Sequence, residues 1–269
     1  MDRVKIGLVG SGFAAALHME AYKQVYGIEP WVAAVASPSE RAGDFAREYG
    51  IPSVYRCMEE MIRKERPDVV DICSPPSLHA PMIGSAMGAG CHVICEKPLT
   101  GWFGDSAEPD MAKKVMEQLE QLRRVVERSG RKFFYAENFI YAPAVQKSAS
   151  LIRAAGEHIL FMRGEESHSG SHAGHAALWS MNGGGSLIRQ GCHPLSALLY
   201  LKQLENGKGA KAVGVTADMG YIVPTLNEEE RKNIQARPKD VEDLANVILT
   251  FEDGTKALIT AGDMILGGV

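Results

Sequence analysis

With 269 residues, 45% of them apolar, 23% charged and 7% aromatic, the chain is neither disordered nor fibrous and is long enough for one large or two medium cores. A formal charge of -4 without any basic block gives no footprint for nucleic acid, and no apolar run approaches the roughly 18 residues of a membrane span. Five cysteines (Cys57, Cys73, Cys91, Cys95, Cys192), odd in number and without C-x-x-C spacing, fit a reducing compartment, and the early Gly7 does not suit a leader peptide, so a cytoplasmic location is expected.

The apolar run VKIGLV (4–9) predicts a strand, Gly10-Ser11-Gly12 a turn, and the Ala- and Leu-rich stretch after it a helix to about Tyr26. The alternation recurs: WVAAVA (31–36), a helix from Ser39, VVDIC (69–73), a helix from about Leu78, HVIC (92–95), a helix, and KFFYA (132–136). Such alternation implies a doubly wound, mostly parallel sheet of α/β class. Met111, Val115, Leu119, Leu122 and Val126 make one apolar stripe, the mark of a packing helix, and the segment before it, GWFGDSAEP (101–109), reads as an irregular loop.

After Asn138 the pattern changes to α+β. A helix over 143–155, a strand near 158–165, a glycine-rich stretch, a further helix and then long strands are expected. Asp253-Gly254 between Val241–Thr250 and Thr255–Ala261 predicts an antiparallel hairpin. The charge-rich segment 227–240 reads as a solvated connector, and Met264–Leu266 as the start of another strand. Two domains follow, 1–138 and 139–269.

Gly10-x-Gly12-x-x-Ala15, set between a strand and a helix, is a dinucleotide fingerprint. The first glycine makes the turn, the second admits a pyrophosphate, and the small third residue lets helix and strand pack. Where fingerprints of the NAD type carry an acid at the end of the second strand, this chain has Ser37, with Arg41 four residues on. A serine does not repel a 2′-phosphate and a guanidinium binds one, so the reading is NAD or NADP with a lean to NADP. The alternative is that Ser37 or Ser39 caps the next helix and Arg41 faces water.

Gly12-Phe13-x-x-x-x-His18, Ser74-Pro75-Pro76-Ser77-Leu78-His79, Glu96-Lys97-Pro98 and Gly183-Gly184-Gly185 leading to His193 together resemble the Gfo/Idh/MocA family of oxidoreductases. The resemblance implies an N-terminal Rossmann domain followed by a domain with an open, mainly antiparallel sheet. It also implies a small sugar-like substrate and the catalytic pair Lys97 and His193. A base beside the reacting hydroxyl takes its proton and a fixed cation stabilises alkoxide charge, which are roles for His193 and Lys97 respectively. Gly10, Gly12, Phe13, Ala14, Ser37, Arg41, Ser74, Pro75, His79, Glu96 and Lys97 are assigned to the cofactor; Lys97, Arg189, His193, Asn138, Tyr141 and His168 are assigned to the substrate. Relatives usually continue beyond this length, so the chain reads as truncated at its C-terminus, and a homo-oligomer through the C-terminal sheet is compatible with the reading.

One departure stands out. Family members commonly carry Asp four residues before the histidine, and here the residue is Arg189, whose planar fork suits an anionic sugar acid or several hydroxyls. The alternative is a salt bridge to Glu165 or Glu166. His168, His172 and His175 can be written as metal ligands, but Gly170 and Gly174 break any helix that would align them and no carboxylate lies among them. No metal is expected, and the histidines are read as a polar loop over the substrate. Two rival functions remain open: redox-assisted glycoside cleavage with cofactor recycling, and a non-catalytic NAD(P)-binding sensor.

Overall fold

Six strands, β1 (Asp2–Val9), β2 (Ile28–Ala36), β3 (Ser53–Tyr55), β4 (Val69–Ile72), β5 (His92–Cys95) and β6 (Phe133–Tyr135), form one sheet in the order β3-β2-β1-β4-β5-β6. Every pairing in it is parallel. The structure is a computed structural model and describes residues 2–171, 173–205 and 210–268. The chain divides into two compact units: the residues up to Thr100 with Glu108–Ala136, and Gly101–Ala107 with everything from Glu137 on.

In the first unit the strands are short apolar runs because both sheet faces are covered. Helices α1 (Phe13–Tyr22) and α2 (Ala42–Tyr49) pack Ala15, Met19, Phe45 and Ala46 against Ile6, Leu8, Val32 and Val35. Helices α3 (Met58–Glu65), α4 (His79–Gly88) and α5 (Met111–Ser129) pack Met61, Ile83, Met87 and Leu122 against Val70, Ile72 and Val93. Leu122 and Val126 of the expected stripe on α5 meet this core. The strand order reverses between β1 and β4, and doubly wound sheets bind ligands outside the carboxyl ends of the strands at such a point. Strand β3 was not legible in the sequence: three residues between Pro52 and Arg56 carry no periodic signal and depend on β2 for pairing.

The second unit begins with α6 (Pro143–Ala155) and β7 (Phe161–Ser167), followed by the single turn α7 (Trp179–Asn182). A π-helical turn, Leu187–Gly191, runs into α8 (Cys192–Leu204). Strands β8 (Ala212–Gly220), β9 (Leu244–Phe251) and β10 (Lys256–Gly262) complete a sheet ordered β7-β10-β9-β8. Strand β9 is antiparallel to both neighbours, with the expected Asp253-Gly254 hairpin to β10, while β7 joins β10 in parallel. The connector 227–240 is mostly exposed, as expected, and is anchored at one point, where Ile234 and Ala236 are buried beside Val223 and the N–H groups of Gln235 and Ala236 donate to the Ser169 carbonyl. One expectation is corrected. Residues 264–266 form no strand; the Ile265 N–H donates to the His168 carbonyl instead.

The glycine run 183–185 fixes the helix that carries His193. A Cβ on Gly185 would lie 1.7 Å from the Glu242 carbonyl oxygen, so only glycine lets the two backbones approach. The buried Glu242 carboxylate then accepts the N–H groups of Gly185 (2.7 Å) and Leu187 (3.0 Å), and its carbonyl accepts that of Ser186 (3.1 Å). These are the donors a helix start leaves unsatisfied, and an anion there also complements the helix dipole. At the other end of α8, the fully buried Lys202 ammonium binds Glu205, Asp253 (2.7 Å) and Thr255 (2.8 Å), tying the helix to the hairpin. Gly185→Ala is expected to destabilise the second unit by on the order of 3 kcal/mol, measured by chemical denaturation; an unchanged midpoint would contradict the role given to this contact.

Candidate active site

The turn after β1 is shaped to receive a dinucleotide. Gly10 has φ +105°, and a Cβ on it would meet the Cys73 carbonyl oxygen at 2.6 Å. Its N–H donates to the Ala36 carbonyl at 2.9 Å, locking the turn onto β2. Gly12 precedes α1 with open space where a Cβ would stand, and the helix has neither a capping side chain nor an acid in its first turn. Its first N–H groups are therefore available to a pyrophosphate. Ala15 is fully buried, as close packing of helix and strand requires, whereas Phe13 is exposed and Ala14 half-buried. Ser74 Oγ, in the loop after β4 that leads to Pro75, is buried with no hydrogen-bond partner, a polar atom that suits a ligand.

At the end of β2, Ser37 is buried and its Oγ accepts the Ser11 hydroxyl (3.0 Å) and the Ser39 N–H (3.3 Å). The Ser39 hydroxyl accepts the Arg41 N–H at 3.2 Å, just ahead of α2, and Arg41 is exposed. His79 is fully buried, with Nδ1 2.7 Å from the Pro98 carbonyl and Nε2 2.8 Å from that of Ser74. Burial pushes its pKa down more than the two carbonyls raise it. Its ring braces the loops after β4 and β5 against each other.

Beyond β5, Glu96 accepts the Lys97 N–H at Oε2 (3.0 Å) and faces His18 Nε2 with Oε1 (3.0 Å). His18 Nδ1 lies 2.8 Å from Asp71, which also accepts the Tyr22 hydroxyl at 2.7 Å. Asp71 is fully buried, and contact with it raises the Tyr22 phenol beyond what burial already does. Lys97 itself is half-buried.

In the second unit His193 sits in the first turn of α8, immediately after the π-helical turn, a local geometry often found at functional sites. It is buried, stacks on Phe139 with ring centroids 4.3 Å apart, and places Nδ1 2.6 Å from Glu137 Oε1. That oxygen also accepts the Phe139 N–H (3.2 Å), while the other Glu137 oxygen is buried without a partner. An Nδ1–H donated to Glu137 leaves Nε2 as the ring's acceptor. Asn138 and Tyr141 are exposed on the short turn beside Phe139. His168 is half-buried at the end of β7, and its Nδ1 accepts the Gly170 N–H at 2.9 Å.

Arg189 is paired with the buried Asp263 just past β10, not with Glu165 or Glu166, and the amide of Gln190 donates to the second oxygen of the same carboxylate. Partial burial and the Arg189 guanidinium both push the pKa of His175 down. His172 lies outside the described residues, so the three histidines do not form a described group. Sequence reasoning missed Glu137, Asp263 and Asp71. Asp71 alone left a trace, as a charge inside the apolar run VVDIC; the other two are identified only by the side chains that reach them. Asp263→Ala should destabilise the second unit by about 3 kcal/mol, because it removes the carboxylate from a largely buried guanidinium. Arg189→Met with Asp263→Leu should recover most of that loss in denaturation, and a cost below about 1 kcal/mol for the single change would contradict the pairing.

Residues 4–128 match the model of an oxidoreductase family with an NAD-binding Rossmann fold, and residues 158–268 match the GFO/IDH/MocA C-terminal domain. D-apiose dehydrogenase of Paraburkholderia graminis is 29% identical over 153 residues, which is 57% of this chain and 37% of that protein. Inositol 2-dehydrogenase of Rubrobacter xylanophilus is 31% identical over 161 residues, 60% of this chain and 43% of that protein. The matches thus take in less than half the length of either relative. A levoglucosan dehydrogenase solved with NADH and levoglucosan shares the fold, with a TM-score of 0.79 at 23% identity, over 99% of this chain and 68% of that one. With its two segments matching the family's two domain models in order, the chain belongs to the Gfo/Idh/MocA family of oxidoreductases.

Proposed function

We propose that this protein is an NAD(P)-dependent dehydrogenase that moves a hydride between a nicotinamide and a secondary carbinol carbon of a neutral sugar or polyol. The observation that carries the reading is the buried Glu137–His193 pair, an imidazole held with one nitrogen on a carboxylate and the other left as a base. His193 takes the proton of the reacting hydroxyl in oxidation and returns it in reduction. Lys97, held at its backbone by Glu96, supplies the cation that stabilises the alkoxide. Gly10, Gly12 and the start of α1 hold the pyrophosphate, with Phe13, Ala14, Ser74 and Pro75 around the dinucleotide. His79 acts by bracing those loops. A bound nicotinamide supplies the hydride acceptor.

The neutral substrate follows from Arg189, whose charge is already met by Asp263. Asn138, Tyr141 and His168 then offer hydroxyl partners. The names of the apiose and inositol dehydrogenases among the relatives support the same class. At the end of β2 Ser37 brings no carboxylate and Arg41 is exposed, so the reading includes NADP as well as NAD. All five cysteines are free thiols and no described helix is long and apolar enough to cross a membrane, which supports a cytoplasmic location. Exposed Val213 and Val215 on β8, the edge strand of the C-terminal sheet, support assembly through that sheet.

Apiose, xylose, inositol, levoglucosan and a uronate, each offered with NAD and NADP, are expected to give net reduced cofactor with at least one neutral compound and none with the uronate. Lys97→Met and His193→Ala should each lower kcat by at least about 100-fold while leaving the Kd for NADH within about threefold. Preference for the uronate would overturn the neutral class. Substrate cleavage without net cofactor reduction would point to glycoside cleavage, and NADH binding with no turnover to a sensor.

A further inference from the structure

The His18 ring on α1 has a carboxylate at each nitrogen, Asp71 at 2.8 Å and Glu96 at 3.0 Å. A neutral imidazole carries one N–H, so it would turn a bare nitrogen toward one of these two acceptors. A carboxyl group at each ring nitrogen offers an acceptor on both sides, and the imidazolium provides a donor to each. The groups facing the ring are Asp71 from β4, Cys73 just after β4 with Sγ 3.6 Å from Nδ1, and Glu96 after β5. The Tyr22 hydroxyl, one turn along α1, meets the same Asp71 oxygen. Burial alone would lower the pKa of His18, but the hydrogen bonds to Asp71, Cys73 and Glu96 outweigh it and raise it to about 12. Glu96, although largely buried, is held below the usual carboxylate range by His18 and Lys97.

The consequence reaches Lys97 through one side chain. Glu96 is fixed at both oxygens, Oε1 on the His18 ring and Oε2 on the Lys97 N–H. Without a donor on Oε1, the carboxylate loses the contact that orients it, and the Lys97 backbone loses its acceptor geometry. We propose that His18 is a positioning residue that stays doubly protonated, bridging Asp71 and Glu96 and thereby setting the placement of Lys97. The effect on turnover rests on the dehydrogenase reading of Lys97; the charge state of His18 does not.

Two measurements on the intact chain test this without a substrate. In protein labelled with 15N at histidine, the ring nitrogens lost from the spectrum in His18→Gln should both resonate as protonated nitrogens from pH 6 to pH 9. In Glu96→Gln the same ring should lose a proton within that range, because one carboxylate that favours the charged form is gone. In reductively 13C-methylated protein, the dimethylamino signal lost in Lys97→Met should move in His18→Gln. One protonated and one bare ring nitrogen at pH 8, or a Lys97 signal unmoved in His18→Gln, would overturn the proposal. With a sugar or polyol that is turned over, His18→Gln should lower kcat by about tenfold or more with little change in the Kd for NADH. Absence of turnover by the unaltered protein would count against the dehydrogenase reading and leave the two spectroscopic results to decide His18.

Discussion

A carboxylate cannot be withdrawn from water unless something inside the protein replaces the lost hydration. Among the described residues this chain buries six: Asp71, Glu137, Glu205, Glu242, Asp243 and Asp263. Each has at least one oxygen matched to a particular donor set, the second oxygen of Glu137 being the exception left unmatched. Asp71 takes His18 and Tyr22, Glu137 takes His193, and Asp263 takes Arg189 and Gln190. Glu205 takes Lys202, Asp243 takes the N–H groups of Ile222 and Val223, and Glu242 takes those that open the helix bearing His193. Buried ion pairs contribute little net stability against apolar replacements, yet breaking one is costly, so their effect is to single out one arrangement of the groups they hold.

That selection bears directly on the two groups proposed to carry the chemistry. An imidazole left to rotate about its own side chain has to be ordered when a substrate arrives, whereas His193 is already fixed by Glu137 on one edge and Phe139 across its face. Lys97 is treated the same way one step removed, its backbone held by a glutamate that is itself held by His18. Groups fixed in advance need no reorganisation during reaction, which is how hydrogen bonds of modest strength lower a barrier. Arg189 follows the same rule with a different outcome. Its guanidinium is spoken for by Asp263, so a feature that reads as an anion site in the sequence is part of the second unit's internal framework.

How much could be read from residues alone depended on whether the signal was local. The parallel sheet was legible because each of its longer strands is a contiguous apolar run and the glycine turn after β1 has a fixed spacing. The hairpin at Asp253-Gly254 was legible because two residues specify the turn. Strand β3 was not, since Ser53-Val54-Tyr55 acquires its conformation only from β2. Lys97 and His193 were singled out by their motifs, whereas Glu137 and Asp263 belong to no motif and lie 56 and 74 residues from the side chains they hold. The register that brings such distant carboxylates home belongs to the packing of strands and helices, and no short window of sequence contains it.

The orientation of His193 by Glu137 is the claim on which the rest turns, and Glu137→Gln addresses it most directly because it keeps the shape and removes the charge. The amide offers Nδ1 no ionised acceptor, so the ring loses its fixed tautomer while the fold keeps its volume. Measured with a sugar or polyol that is turned over, kcat should fall about 100-fold with the Kd for NADH essentially unchanged. A kcat equal to that of the unaltered protein would show that the carboxylate does not set the base.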